Sequence, residues 1–353
     1  MNPKIKDLRN KLDSMNLQGM IVSNPINIQY LTGIKAEGTL LITRKENFYI
    51  TDSRYIETVN ATITIDDEII VYDNRNVSEY DYEGFFALCE NVGFEESYVT
   101  YQKYKKMLEK YKVNFVETEE IIEKLRVLKH KDEIEKTQKA CLITDNCFLH
   151  LQNYIKVGMT EKEIALEIER YFKLNGADNL AFDTIVASGP NSSMPHAVPT
   201  DRKIIPGDAI VIDFGCKYHG YCSDMTRTIF AKYVPEEIKD IYNLVLENQK
   251  FVISEIKDMA NIKIITNLVE NSFKLKGFMQ MHALGHGVGM EVHEKPIISL
   301  NNNDYLRENM IVTDEPGIYM PGKFGVRIED TILVQKNDCK PLTLSQKDYV
   351  IVG

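Results

Sequence analysis

Apolar positions in the first 118 residues follow two rhythms. Short apolar runs bounded by turn residues, at 18–23, 39–43 and 48–52, predict strands. Residues 1–15, 78–91 and 101–112 space their apolar positions as a helix does. The mixture predicts a small α/β domain over 1–118 with a largely hydrophobic sheet. A charged helical stretch, 118–129, leads into the remainder. There, helix is predicted over 131–154 and again from Thr160, where Thr160-Glu-Lys-Glu163 fits a capping box. Ile164, Ile168 and Phe172 give that second helix one apolar stripe, and Gly176 is placed to end it. Further helices at 236–259 and 262–276 alternate with two hairpin-like stretches. The order is helices then hairpin, twice over. This predicts an α+β architecture for 119–353, since a doubly wound sheet would alternate strand and helix throughout. A length of 353 residues also favours two domains over one.

Composition narrows the function classes. The chain is 44% hydrophobic and 27% charged, as ordinary soluble globular proteins are. Its 42 Lys and Arg against 52 Asp and Glu give a net charge of −10. That sign argues against nucleic acid as a partner, which needs a basic face, and against an anionic membrane surface. The amino terminus is charged from the start, and no stretch approaches the roughly 18 apolar residues of a membrane span, so a cytoplasmic location is expected. Cys89, Cys141, Cys147, Cys216, Cys222 and Cys339 show no CxxC spacing, and reduced, mostly buried thiols are expected. Cys216 and Cys222 flank a predicted turn; strand-end thiols are the preferred reading over metal binding or pairing. Residues 1–118 show no nucleotide loop and no glycine-rich fingerprint.

The chemistry lies in the hairpins. The first runs from Asp213 to Asp224 and the second from Glu315 to Glu329. Folding each about its middle would set Asp213 beside Asp224 and Glu315 beside Glu329. Like charges across a strand pair destabilise a sheet, so four such carboxylates call for a cation. The apolar run 209–212 would bury Asp213, which is costly unless the charge is satisfied. By the two-residue period, Asp224, Thr226 and Thr228 share a face, as do Arg327, Glu329 and Thr331. Pro321-Gly322 supplies the second turn.

Between the hairpins, His286 sits among glycines in His282-Ala-Leu-Gly-His286-Gly-Val-Gly, with His293 seven residues on. One imidazole and four carboxylates suit hard or borderline divalent ions. One divalent ion would half neutralise four carboxylates; two match them, as in hydrolytic two-ion sites.

These residues resemble the pita-bread metallopeptidases, in the Xaa-Pro peptidase branch (aminopeptidase P and prolidase). The matching motifs are Asp213-Phe-Gly, Ser223-Asp224-Met-Thr-Arg, Gly285-His286-Gly-Val-Gly, His293-Glu-Lys-Pro, Glu315-Pro-Gly-Ile-Tyr and Val326-Arg-Ile-Glu329-Asp. Tyr30-Leu-Thr-Gly and Thr51-Asp-Ser-Arg-Tyr55 resemble the creatinase-like amino-terminal domain of that branch. The resemblance implies a pita-bread catalytic domain holding two divalent ions, Mn(II) first, with Co(II), Fe(II) or Zn(II) as alternatives. Asp213, Asp224, His286, Glu315 and Glu329 would be the ligands, with Asp224 and Glu329 bridging. The implied activity is hydrolysis of the bond between an amino-terminal residue and proline by a hydroxide that the two ions activate. Glu315 would shuttle the proton, and His293 and His196 would contact substrate and stabilise the reacting centre. Tyr319 and Arg327 would orient the carboxylates, though Arg327 also reads as a plain buried ion-pair partner. Phe182 and Val292 match positions that hold the proline ring, and both also read as core. His282 and His219 read as structural. A homodimer is implied as well.

Many prolidases carry an arginine directly after the His-Glu-x-Pro motif, where it can hold a dipeptide's carboxylate. Here Ile297 follows Pro296, which favours longer Xaa-Pro peptides, with a strict dipeptidase as the alternative. A methionine aminopeptidase typically lacks the first domain, and creatinase-like or non-catalytic peptide-binding relatives lack part of the ligand set. The reading is therefore an enzyme, a metallo-exopeptidase acting on proline-containing peptides.

Overall fold

In the computed structural model, which describes residues 2–353, the chain divides into two units, Met1–Arg126 and Val127–Gly353. The first is built on a six-stranded mixed sheet of β1 (Gly19–Val22), β2 (Gly38–Thr43), β3 (Asn47–Thr51), β4 (Ile69–Asp73), β5 (Asn91–Glu95) and β6 (Asn114–Thr118). Their order is β4-β3-β2-β1-β5-β6, with β3–β4, β1–β5 and β5–β6 parallel. The predicted strands correspond to β1–β3; the other three had not been predicted. The predicted helix over 78–91 is shorter, Glu79–Phe85, because Asn91 already pairs in β5. Met1, where the first helix was predicted to begin, lies outside the described residues; that helix runs Pro3–Ser14.

The second unit holds two helix pairs, each against a sheet. Lys131–Tyr154 and Glu161–Leu174 pack on strands Ile185–Ser188, Ala209–Phe214 and Met225–Ala231. Glu236–Glu255 and Ile262–Leu275 pack on a five-stranded sheet that includes Gly285–Gly287, Ile311–Asp314 and Asp330–Val334. The Thr160–Glu163 capping box is formed, and Gly176 takes φ +89° just beyond the helix end. The stripe Ile164, Ile168 and Phe172 is buried against Ile212 and Phe214. Each of these side chains removes apolar area worth about 1.5–3 kcal/mol from water. The architecture is α+β, as the element order predicted.

The first hairpin corrects one expectation. Asp213 faces Thr226, not Asp224. The cause is the turn: Tyr218 pairs with Tyr221, leaving a two-residue loop of His219 (φ +48°) and Gly220 (φ +85°). Positive φ at both central residues marks the tight hairpin turn whose twist matches its strands. Placing the turn one residue beyond the midpoint of 213–224 moves every partner by two. Asp224 therefore stands diagonal to Asp213 rather than opposite it, which preserves its face. In the second hairpin Asp314 faces Asp330 and Gly317 faces Arg327, so Glu315 and Glu329 hold matching positions between these pairs. Its turn passes through Gly322 at φ +73°, after Pro321.

Candidate metal centre

Asp224, His286 and Glu329 each offer one donor atom, and the three atoms lie within 4.8 Å of one another, all on buried residues. Strand ends bring them together: Asp224 and Glu329 each lie in a short break immediately before a strand, Met225–Ala231 and Asp330–Val334. His286 sits on the short strand Gly285–Gly287, whose amide nitrogen it contributes to Thr313 Oγ1 (3.1 Å). The flanking glycines are sterically required: a Cβ on Gly285 would lie 2.1 Å from the Thr313 carbonyl oxygen, and one on Gly287 2.1 Å from that of Lys295. Glu329 Oε2 accepts from Thr226 Oγ1 (2.6 Å), which in turn accepts from Arg327 Nε (3.1 Å).

His286 is set up as a donor. Its Nδ1 donates to the Gly287 carbonyl (3.1 Å), so the proton is on that nitrogen. Burial pushes its pKa down to about 4, keeping the ring neutral. The bare Nε2 lone pair then faces Asp224 Oδ2 at 3.5 Å and Glu315 Oε1 at 3.4 Å. Lone pair against carboxylate is repulsive unless a cation or proton intervenes. The carboxylates show the same demand. Burial, then the neighbouring carboxylates, push Asp224 and Glu329 well above the usual range. Burial pushes Glu315 up to about 8 against the pull of Arg327. Asp213 Oδ2 accepts from Arg327 Nη2 (2.6 Å), while its buried Oδ1 has no hydrogen-bond partner among the described residues. An orphaned buried carboxylate oxygen, a bare imidazole nitrogen and a hard-oxygen donor set together fit divalent cations.

All five predicted ligands line one cavity of about 470 Å³. Phe182, His196, Val292, His293 and Arg327 line it too. The His293 ring lies 4.4 Å from that of His286, centroid to centroid. Tyr319 is not on the wall. It sits behind Arg327, accepting from Nη1 (2.7 Å), and its hydroxyl meets His282 Nε2 at 2.9 Å. Since His282 Nδ1 donates to the Ala283 carbonyl (2.8 Å), Nε2 is the acceptor and the Tyr319 hydroxyl the donor. Burial pushes Tyr319 up to about 12, so it keeps that proton.

Two residues at or behind the wall carried no prediction as site residues. His282 is on the wall, with Nδ1 3.5 Å from Glu315 Oε2. Its spacing of four from His286 was the available signal. Thr226, which ties Glu329 to Arg327, was marked only as sharing a face with Asp224. His219 lies exposed at its turn, away from this cavity.

The chain matches the family model described as Metallopeptidase family M24 over residues 135–336, and that of the Creatinase/Prolidase N-terminal domain over residues 4–128. It is 35% identical to the Xaa-Pro dipeptidase of Pyrococcus horikoshii over 356 aligned positions, covering 99% of each chain. The solved Xaa-Pro dipeptidase from Bacillus anthracis superposes with a TM-score of 0.93 at 34% identity, over 99% of each chain. The X-Pro aminopeptidase from Thermotoga maritima gives 0.90 at 31%, over 97% of this chain and 100% of its own.

Proposed function

The chain belongs to metallopeptidase family M24, and from that premise we propose that it is a metal-dependent Xaa-Pro peptidase, cleaving an amino-terminal residue from proline. The observation that carries the reading is the buried cluster of Asp224, His286 and Glu329, beside Glu315 and the half-orphaned Asp213, on the wall of a cavity that Phe182 and Val292 also line. Those five residues would hold two divalent ions, Mn(II) by preference. When bound, such ions supply Lewis acidity that makes a nucleophilic water available near neutral pH and polarises a carbonyl.

The chain's own groups do the rest. The amide nitrogen of an Xaa-Pro bond is tertiary and leaves as a secondary amine, so it must gain a proton. Glu315 takes one from the attacking water at a carboxylate oxygen and passes it to that nitrogen. His293 and His196 line the cavity as donors for the carbonyl oxygen or the peptide backbone. Arg327, held by Asp213 and Tyr319, fixes the carboxylate it touches. Phe182 and Val292 give the proline ring an apolar surface.

A specific observation favours peptides longer than two residues. Among the lining residues Arg327 is the one Lys or Arg, and its nitrogens are engaged by Asp213, Tyr319, Thr226 and the Pro195 carbonyl. A dipeptide's free carboxylate finds no spare guanidinium there. The alternative, a strict dipeptidase, is the activity for which the similar Pyrococcus and Bacillus proteins are named. Parallel assays of Ala-Pro, Ala-Pro-Ala and Met-Ala-Ala, with metal-depleted and Mn(II)-reloaded enzyme, separate these. Cleavage of Ala-Pro-Ala before proline, dependent on metal, is expected. Turnover of Ala-Pro alone would establish the dipeptidase, and release of Met before Ala would end the proline assignment. The same reading takes the protein to be a cytoplasmic homodimer; a monomeric mass in sedimentation at micromolar concentration would contradict the dimer.

A further inference from the structure

Residues 189–199 carry His196 and contribute Pro195, Ala197 and Val198 to the cavity wall. Beyond the short 3-10 turn Gly189–Ser193 they form no regular structure, and Met194, His196 and Val198 are exposed. Apolar burial therefore does little to fix where His196 stands. Hydrogen bonds do, and those at the two ends of the segment converge on one side chain.

Glu161, fully buried, is the first residue of helix Glu161–Leu174. Its Oε1 accepts from the Ser188 amide (2.7 Å), the Ser188 hydroxyl (2.7 Å) and Asn191 Nδ2 (3.1 Å). Its Oε2 accepts from the Thr200 amide (2.9 Å), the Thr200 hydroxyl (2.6 Å) and the same Asn191 nitrogen (3.1 Å). Ser188 and Thr200 flank the segment, so one carboxylate ties both of its ends. Arg202 fixes the arrangement from behind, donating to Ser188 Oγ (2.6 Å) while paired with Asp208. Burial alone would push Glu161 up; the Thr200 and Ser188 hydrogen bonds outweigh it and hold the carboxylate below its usual range. The far side of the segment is tied to the second hairpin: the Gly325 amide donates to Ser192 Oγ (2.8 Å) and Arg327 Nη1 to the Pro195 carbonyl (3.2 Å).

We propose that Glu161 is a positioning residue for substrate. By closing the base of 189–199 it sets where His196 stands over the cavity, without touching the peptide itself. The inference rests on the peptidase reading above, and it goes beyond it in naming what orders this wall.

The test is Glu161→Gln, which keeps the volume but replaces one acceptor oxygen by an amide donor facing donors. Hydrogen exchange of the amides from Ser188 to Thr200, two of which donate directly to Glu161, should speed up at least about tenfold, as expected for losing charge-assisted hydrogen bonds, with exchange outside 188–200 unchanged. Mn(II) affinity should stay within twofold of wild type. KM for Ala-Pro-Ala should rise about tenfold with kcat changing less, the pattern of lost binding rather than lost chemistry. In a His196→Ala background, Glu161→Gln should add nothing further to KM, because it acts through that histidine. Unchanged exchange in 188–200, or a KM penalty that persists in full without His196, would overturn the proposal. Should Glu161→Gln fail to fold, Thr200→Val removes one of the same bonds and must shift exchange and KM in the same direction, or the proposal fails. The exchange measurement needs no turnover, so a wild type inactive on every Xaa-Pro peptide would sink the peptidase reading and leave the ordering of this segment separately decided.

Discussion

Glu329 and Asp330 are chain neighbours in the same hairpin, and their surroundings are opposite. Glu329 lines the cavity among carboxylates, accepting one hydroxyl proton from Thr226. Asp330 points to the other side, where Arg227 Nη2 (2.7 Å), Gln249 Nε2 (2.9 Å), Thr343 Oγ1 (2.8 Å) and Lys347 all donate to it. Both are buried, yet Glu329 is pushed well above the usual carboxylate range and Asp330 is held below it. Burial is the largest upward influence on each; countercharge makes the difference. Asp314, opposite Asp330, is pushed up in turn by burial and by Asp330. One face of the hairpin thus has two carboxylates answered by two cationic side chains. The cavity face has Asp213, Asp224, Glu315 and Glu329 answered, among the described lining residues, by the cationic side chain of Arg327 alone. The first face is a fold-stabilising network; the second is an unfinished one that divalent cations would complete.

Substitution should separate the two faces. Glu329→Gln is expected to cut Ala-Pro-Ala hydrolysis by about a thousandfold or more, the scale of several kcal/mol of lost metal-assisted stabilisation. The melting temperature of the metal-free protein should hold or rise, since one of several crowded charges is gone. Asp330→Ala should do the reverse. Leaving Arg227 and Lys347 without their partner costs about 3–5 kcal/mol, read by denaturant unfolding. A stability loss from Glu329→Gln as large as that from Asp330→Ala would erase the distinction.

Smaller effects sharpen it. Tyr319→Phe removes the hydroxyl between Arg327 and His282 and should lower turnover about 10–100-fold, as for other groups that orient metal ligands; an unchanged rate would remove Tyr319 from the account. For pH, the metal-free protein holds Glu315 protonated up to about 8, against an ordinary value of 4.5. A raised carboxyl binds more protons folded than unfolded, so stability falls as pH climbs from 4.5 towards 8. Melting curves across that window should show the decline for metal-free protein, and a flat or rising profile would contradict it. Asp330, shifted downward, contributes stability present above its ordinary value and lost as pH falls through its folded one. Acid should therefore unfold the protein through the satisfied face.

Much of this was legible in the sequence. The capping box at Thr160, the apolar stripe through Phe172 and the alternation in both hairpins are local signals, and local structure obeyed them. The parallel strands β4–β6 were missed because their partners are distant in sequence and their short runs lack clean alternation. The register of the first hairpin was misread by two because symmetry about 213–224 carries no information on which residues accept positive φ. His219-Gly220 does. The clustering of Asp224, His286 and Glu329 followed from residue order and type. The Glu161 network did not, because its partners Ser188 and Thr200 declare themselves only when the segment between them closes.

The most direct test of the central claim is a calorimetric titration of metal-free protein with Mn(II), run in buffers of different ionisation enthalpy. The account predicts two ions bound per chain, with protons released at pH 7 as the raised carboxyls ionise, and loss of this binding in Glu329→Gln. Binding with no proton release, or a wild-type protein that takes up no Mn(II) at all, would contradict it.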